Sequence, residues 1–268
     1  MINSILEYSN RRIILDRIVT RETNGEISIT TDPDAIKLKV KQHLQEWTQG
    51  NKGNILMTEF WKKQFLPKKD IKTTYYSNVT EEITEEELAE YIRNLSNNKT
   101  PGPSQIPYEV FKHLETKTLQ WLTNFFNEIL RTGKTPREWS KGHVILIPKP
   151  KDWEGQLEIT RPITLMETTR KLFTKIINNR LAQTLADHKI LNKSNQAGIP
   201  GGRTVYPIHI LNNIMEEARE EKKELWLLFQ DISKAFDSVN NEMMITAMKR
   251  LKISKNIIEI IRNIINEK

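Results

Sequence analysis

Apolar positions recur at helical spacing over most of the chain. Leu88, Tyr91, Ile92 and Leu95 share one side of a helix that opens at Thr84-Glu85-Glu86-Glu87, a hydroxyl at the cap with a glutamate three residues on. Val110, Phe111, Leu114, Leu119, Leu122, Phe125, Phe126 and Leu130 predict a long helical region, closed by Gly133 and Pro136. Leu172, Phe173, Ile176, Ile177, Leu181 and Leu185 predict another helix, and Ile208, Leu211, Ile214, Met215 and Ala218 the next. Two further helical segments fall around Met243 to Leu251 and Ile257 to Ile265. Near the start, Thr31-Asp32-Pro33-Asp34 caps a helix through Ala35, Ile36, Leu38, Val40 and Leu44, so residues 1–80 read as a mostly helical lead-in.

Three stretches break this period. His143 to Lys151, HVILIPKPK, predicts a short strand running into a Lys-Pro-Lys loop, and Ile159 to Leu165, ITRPITL, a second strand. Leu225 to Phe229 is apolar on both faces, which predicts a strand central in a sheet. Two loops are rich in proline and glycine: residues 96–107, SNNKTPGPSQIP, and residues 195–204, NQAGIPGGRT.

Composition narrows the class. With 268 residues, 28% of them charged, the chain is long enough for one large domain or two modest ones with a sizeable core. It has no cysteine, which excludes disulfides and thiolate metal sites and fits an intracellular protein, nuclear or cytoplasmic. No apolar run has the length of a signal peptide or a membrane span, so no membrane partner is expected. The net charge is +7, and it is concentrated: residues 99–203 hold 17 Lys and Arg against 9 Asp and Glu. Such a cluster is either a solvated basic surface or a face that meets phosphates.

The chemistry-bearing candidate is Asp231, placed where the apolar strand Leu225 to Phe229 leaves its sheet. A buried carboxylate costs several kcal/mol unless it is paired or holds a metal. At a strand end it serves equally as a turn or cap residue, or as a ligand facing solvent. Asp237 reads as the cap of the helix holding Met243, Met244, Ile245 and Met248.

The order of these pieces carries more than any one of them. A Pro-Gly loop is followed by a strand ending in Pro-Lys-Pro-Lys and by Arg161-Pro162-Ile163-Thr164-Leu165. Then come the Gln196-x-Gly198-x-x-Gly201-Gly202-Arg203-Thr204 loop and the run FQDISKAFDSV, Phe229 to Val239. From residue 80 to 268 this resembles the reverse transcriptase of non-LTR, LINE-like retrotransposons. The resemblance implies an α+β fold: helix-rich right-hand polymerase fingers over residues 81–223, and an incomplete palm with short antiparallel strands over residues 224–268. Residues 1–80 would be the linker before the polymerase.

The resemblance also implies roles. Asp231 would be a catalytic ligand of two Mg²⁺ ions, with the backbone carbonyl of Ile232 beside it; hard oxygen ligands suit Mg²⁺. Phe236 would pack against the sugar of an incoming deoxynucleoside triphosphate, though a plain core aromatic is the other reading. Lys149 and Arg161 would hold the triphosphate, Arg161 by its guanidinium fork, though an exposed loop lysine is the other reading of Lys149. Gln196, Gly198 and Arg203 would lie near the RNA template, although a tight turn explains the glycines as well. The expected partners are an RNA template, a DNA primer and deoxynucleoside triphosphates; nothing in the sequence fixes an oligomeric state.

Departures from the family matter. Its Gly-Pro-Asp-Gly-Ile is Gly102-Pro103-Ser104-Gln105-Ile106 here, and its Gly-Phe is Gly198-Ile199. The family's later pair of adjacent aspartates has no counterpart, since no Asp-Asp occurs in the sequence. One carboxylate does not anchor two divalent ions, so the chain alone is expected to be inactive. A non-catalytic RNA-binding module and a decayed retroelement fragment are the alternatives.

Overall fold

The structure, a computed structural model, describes residues 15–21, 26–48, 57–150, 153–192, 194–232, 235–236 and 238–266. Among the described residues it is an α+β chain, mostly helical, with two small sheets of two strands each. Its backbone divides into two compact units, one formed by Met1–Lys52 with His143–Leu165, the other by Gly53–Gly142 with Met166–Lys268.

The first unit contains an antiparallel pair, β1 (Ile18–Arg21) and β2 (Ile27–Thr30), in which Ile18 faces Thr30 and Arg21 faces Ile27. The lead-in was expected to be mostly helical; this strand pair is an addition to the helix predicted there. The helix α1 (Pro33–Thr48) begins as expected, with the Asp32 carboxylate accepting from the Ala35 N–H at 2.8 Å and Pro33 at the first helical position. The second sheet pairs β3 (Gly142–Pro148) with β4 (Thr160–Met166), at the two predicted strand positions. Ile18, Ile36 and Leu157 are the buried centre, with Leu15, Val40 and Leu146 packed around them. Burying three such side chains stabilises by only about 1.5–3 kcal/mol each, so this is a small core.

The second unit holds the main core. Its helices are α2 (Glu59–Gln64), α3 (Ser77–Thr80), α4 (Glu85–Arg93), α5 (Tyr108–Lys112), α6 (Thr116–Thr132), α7 (Thr168–Asp187), α8 (Val205–Glu220), α9 (Asn241–Arg250) and α10 (Lys255–Asn266). The long helical region predicted from Val110 to Leu130 is two helices, broken between Lys112 and Thr116. Leu122, Phe126, Ile129 and Leu130 form the buried face of α6, and Leu172, Phe173, Ile176 and Ile177 that of α7. Phe126, Trp139 and Phe173 meet at ring separations of 5.3–6.5 Å, an aromatic centre between these helices. Gly133 closes α6 in the left-handed conformation, φ 72°, its N–H donating to Ile129 O at 2.8 Å. The hydroxyl of Thr84 caps α4 by accepting from the Glu87 N–H at 3.1 Å. The glutamate does not close the box; it turns to Arg180 of α7 instead.

Tyr76 is fully buried and its hydroxyl donates to Leu251 O at 2.7 Å. Burial pushes its pKa up to about 12 from the ordinary 10.0. A raised pKa in the folded state means that the neutral phenol stabilises the fold below pH 10, and that this contribution fades as pH rises from 10 to about 12. Alkaline denaturation should therefore be less steep over that window in Tyr76→Phe, whose midpoint at neutral pH falls by the equivalent of about 1 kcal/mol for the lost hydrogen bond.

Two expectations are corrected here. The strand at Leu225 to Phe229 is not formed: residues 223–232 have no regular secondary structure and neither sheet includes them. Trp226 and Leu228 are 90% and 92% exposed. The apolar pattern expresses a capacity for burial, but a strand exists only where a neighbour takes its N–H and C=O groups. The helix before it behaves alike: α8 forms, yet buries none of its residues, and Ile208, Ile214 and Met215 face solvent. The second correction concerns the cap of α9. Asn240 fills that role, its side chain accepting from the Met243 N–H at 3.0 Å. Asp237 lies outside the described residues.

Candidate functional site

Lys149 and Arg161 belong to the first unit; Gln196, Gly198, Arg203, Asp231, Ile232 and Phe236 belong to the second. In the first unit, Lys149 follows β3 and closes onto the start of β4. Its N–H donates to Ile159 O at 2.8 Å and its ammonium to Glu158 O at 3.0 Å. The lysine thus ties together the ends of the loop. Arg161 stands on β4 next to the buried Thr160, whose hydroxyl donates to Leu157 O at 2.6 Å, and its own side chain is exposed. The Lys149 ammonium is thus engaged, while the Arg161 side chain is exposed.

In the second unit the glycine-rich loop is a compact turn. Gly198 and Gly201 have φ 69° and 74°, a backbone that strains any residue with a Cβ. At Gly202 a Cβ would lie 2.4 Å from Gln196 O, so the loop folds back upon itself there. Gly202 N–H donates to Ile199 O at 3.1 Å and the Asn195 amide to Ala197 O at 2.9 Å. The turn reading accounts for these glycines without a ligand. Gln196 is half-buried, while Arg203 is exposed. Gly198, Ile199 and Pro200 border an open groove of about 750 Å³ whose other side is built from Asn78, Tyr91 and Asn179.

The Pro-Gly loop, 100–107, is fastened to the start of α7. A Cβ on Gly102 would lie 2.4 Å from Met166 O and 2.6 Å from Glu167 N, so only glycine permits this approach. The buried Glu167 carboxylate accepts from the Ser104 N–H at 2.8 Å, and the Thr168 hydroxyl donates to Ile106 O at 2.6 Å. Lys171 donates to Thr100 O at 3.4 Å and lies 5.9 Å from the centre of the Tyr108 ring. Burial lowers the pKa of Lys171, and the nearby Glu167 partly opposes the shift. Gln105 has a left-handed backbone, φ 59°, which a glycine adopts without strain; its amide donates to Gly102 O at 3.1 Å. Glu167, Thr168 and Lys171 carried no signal in the sequence, because their partners lie more than sixty residues away along the chain.

Asp231 and Ile232 are exposed, and Phe236 is 97% exposed. The alternative of a core aromatic at Phe236 is thereby excluded. Among the described residues no group of three or more Asp, Glu or His side chains stands together as a metal site would require. Asp231 alone therefore does not fit the two-ion cradle that the resemblance implies, and no catalytic step through a metal is derived from it.

Residues 147–268 match the family described as reverse transcriptase (RNA-dependent DNA polymerase). The chain is 29% identical over 207 residues to a Drosophila melanogaster protein named probable RNA-directed DNA polymerase from transposon BS, covering 74% of this chain and 23% of that protein. It is 32% identical over 154 residues to the probable RNA-directed DNA polymerase from transposon X-element of the same fly, covering 57% of this chain and 17% of that protein. A retrovirus-related Pol polyprotein from the type-1 retrotransposable element R2 of Nasonia vitripennis is 28% identical over 134 residues, 49% of this chain and 12% of its own length. The chain thus spans less than a quarter of the length of each of these relatives. Among the described residues no helix is long and apolar enough to cross a membrane.

Proposed function

We infer that the chain, whose residues 147–268 match the reverse transcriptase family and which is similar to LINE-like retrotransposon polymerases, supplies the nucleic-acid and nucleotide grip of an RNA-directed DNA polymerase, together with one of its metal-binding carboxylates. In this reading residues 81–223 are the fingers and residues 224–268 open the palm. The template is RNA, the primer DNA, and the substrates are deoxynucleoside triphosphates. Arg161 and Lys149 face the triphosphate, Gln196, Gly198 and Arg203 the template, and Phe236 the incoming sugar.

The observation that carries the reading is the exposed Asp231 at the end of an apolar segment that lacks a sheet neighbour, inside the family-matched residues. Nucleotidyl transfer neutralises phosphate charge with divalent ions, and reverse transcriptases as a family use such ions. Mg²⁺ is the ion proposed here. Asp231 and the carbonyl of Ile232 would offer it oxygen ligands; the remaining carboxylates would come from outside residues 1–268.

Purified 1–268 is expected to give no primer extension on an RNA template with Mg²⁺ and all four deoxynucleotides. Clear extension would sink the claim of an incomplete metal site. Binding is the second readout. A primer–template duplex should bind with an affinity that falls as salt rises, since phosphate contacts supply it. Asp231→Ala should leave that binding unchanged, and Arg161→Ala with Arg203→Ala should weaken it. Absence of duplex binding by the parent chain overturns the reading itself.

A further inference from the structure

We propose that α2 and the lysine-rich segment behind it, residues 59–72, form a docking surface for single-stranded nucleic acid. This surface lies outside residues 147–268 and outside the basic stretch 99–203, so it goes beyond the function proposed above.

No residue of α2 is buried. Phe60 and Trp61 are 62% and 53% exposed, and the neighbouring Leu66 is exposed too. The rings of Phe60 and Trp61 meet edge to face at 5.4 Å, and those of Trp61 and Phe65 lie 6.4 Å apart. Phe60 and Trp61 stand exposed beside the half-buried Phe65, and among the described residues neither core cluster includes these three rings. Residues 59–72 also carry Lys62, Lys63, Lys68, Lys69 and Lys72 against only Glu59 and Asp70. Glu59 is neutralised by Lys62 at 2.6 Å, while Lys63, Lys69 and Lys72 are exposed. Rings interleaved with lysines are what a single strand requires: bases stack on the rings and phosphates meet the ammonium groups.

The surface is held in place. Thr58 caps α2 by accepting from the Trp61 N–H, and the Lys68 N–H donates to Arg250 O at 3.0 Å. The Lys68 ammonium donates to Ile190 O at 3.3 Å, and Lys252 donates to Ile71 O at 2.7 Å. The rings are therefore presented on a platform pinned to the core, which lowers the ordering cost of binding. The other large apolar surface, α8 with residues 225–229, has a different chemistry. It carries exposed rings too, Tyr206, Trp226 and Phe229, but beside them stand Glu216, Glu217, Glu220, Glu221 and Glu224 against Arg219, Lys222 and Lys223. The net acidity there repels phosphate, so charge assigns nucleic acid to α2 and not to α8.

The test is fluorescence anisotropy of labelled oligo-U and oligo-dT, about 20 nucleotides long, with the full chain 1–268 between about 50 and 200 mM salt. Phe60→Ala/Trp61→Ala should weaken binding about ten- to hundredfold, with an unchanged circular-dichroism spectrum because α2 buries nothing. Lys63→Glu/Lys69→Glu should weaken binding and flatten its salt dependence. Parent-like binding by the ring variant, or no binding of either oligonucleotide by the parent, overturns the proposal. So does a ring variant that loses concentration-dependent self-association in sedimentation while binding oligonucleotide normally; a second copy would then be the occupant. Arg161→Ala/Arg203→Ala is the comparator. If it leaves duplex binding unchanged while the ring variant loses single strands, the earlier reading fails and this one stands.

Discussion

Replacing Arg180 by alanine is expected to lower the unfolding free energy of the larger unit by about 3 kcal/mol, read as a shift in the urea midpoint at constant slope. Arg180 of α7 forms an ion pair with Glu87 of α4, with only 12% and 26% of the two side chains exposed. Its guanidinium also donates to Glu81 O at 2.6 Å and to Glu82 O at 3.3 Å. One side chain thus ties α7 to the first turn of α4 and to the chain entering it. Truncation leaves a carboxylate and two carbonyls facing a poorly solvated gap, and that loss dominates. Residual solvent access keeps the figure at the low end of what removing one partner of a buried pair costs. Changing both partners, Arg180→Met with Glu87→Met, should recover much of the loss. A double variant as unstable as Arg180→Ala would show that the carbonyl contacts, not the ion pair, carry the effect.

Gly102→Ala should cost about 2–4 kcal/mol and release the 100–107 loop from α7. The added methyl would stand 2.4 Å from a backbone oxygen at Met166, and backbone cannot give way as a flexible side-chain tip can. Moving the loop breaks the Ser104–Glu167, Ile106–Thr168 and Thr100–Lys171 hydrogen bonds together. Amide hydrogen exchange should therefore show lost protection at Ser104, whose N–H is otherwise held by Glu167. Retained protection with unchanged stability would mean that the loop accommodates the methyl group without leaving α7.

Features that depend on neighbouring residues were legible in the sequence. The Thr84 and Asp32 caps, the Gly133 terminus and the apolar faces of α6 and α7 stand where helical spacing and capping chemistry put them. Both strands of the β3–β4 sheet were legible as well, since each is a short apolar run bounded by turn residues. What failed was whatever depended on a distant partner. The run Leu225 to Phe229 has the composition of a central strand, but composition does not supply the adjoining strands. The break between α5 and α6 was hidden because one apolar stripe continues across it. Asp237 was expected to cap α9, yet the helix starts one residue after Asn240, which caps it. For the site, sequence order pointed to Asp231, Arg161 and the glycine loop. It could not disclose that Lys149 is engaged with Glu158 O, or that Glu167 and Lys171 anchor the Pro-Gly loop.

The bare segment from Leu225 to Phe229 has a consequence for the life of this polypeptide in a cell. Chaperones and degradative enzymes recognise apolar chain that is extended and accessible, and here Trp226 and Leu228 offer it without any prior unfolding. A molecule whose core is well packed would still be triaged as unfinished, so its abundance would depend on how soon something covers that ribbon more than on how stable its helices are.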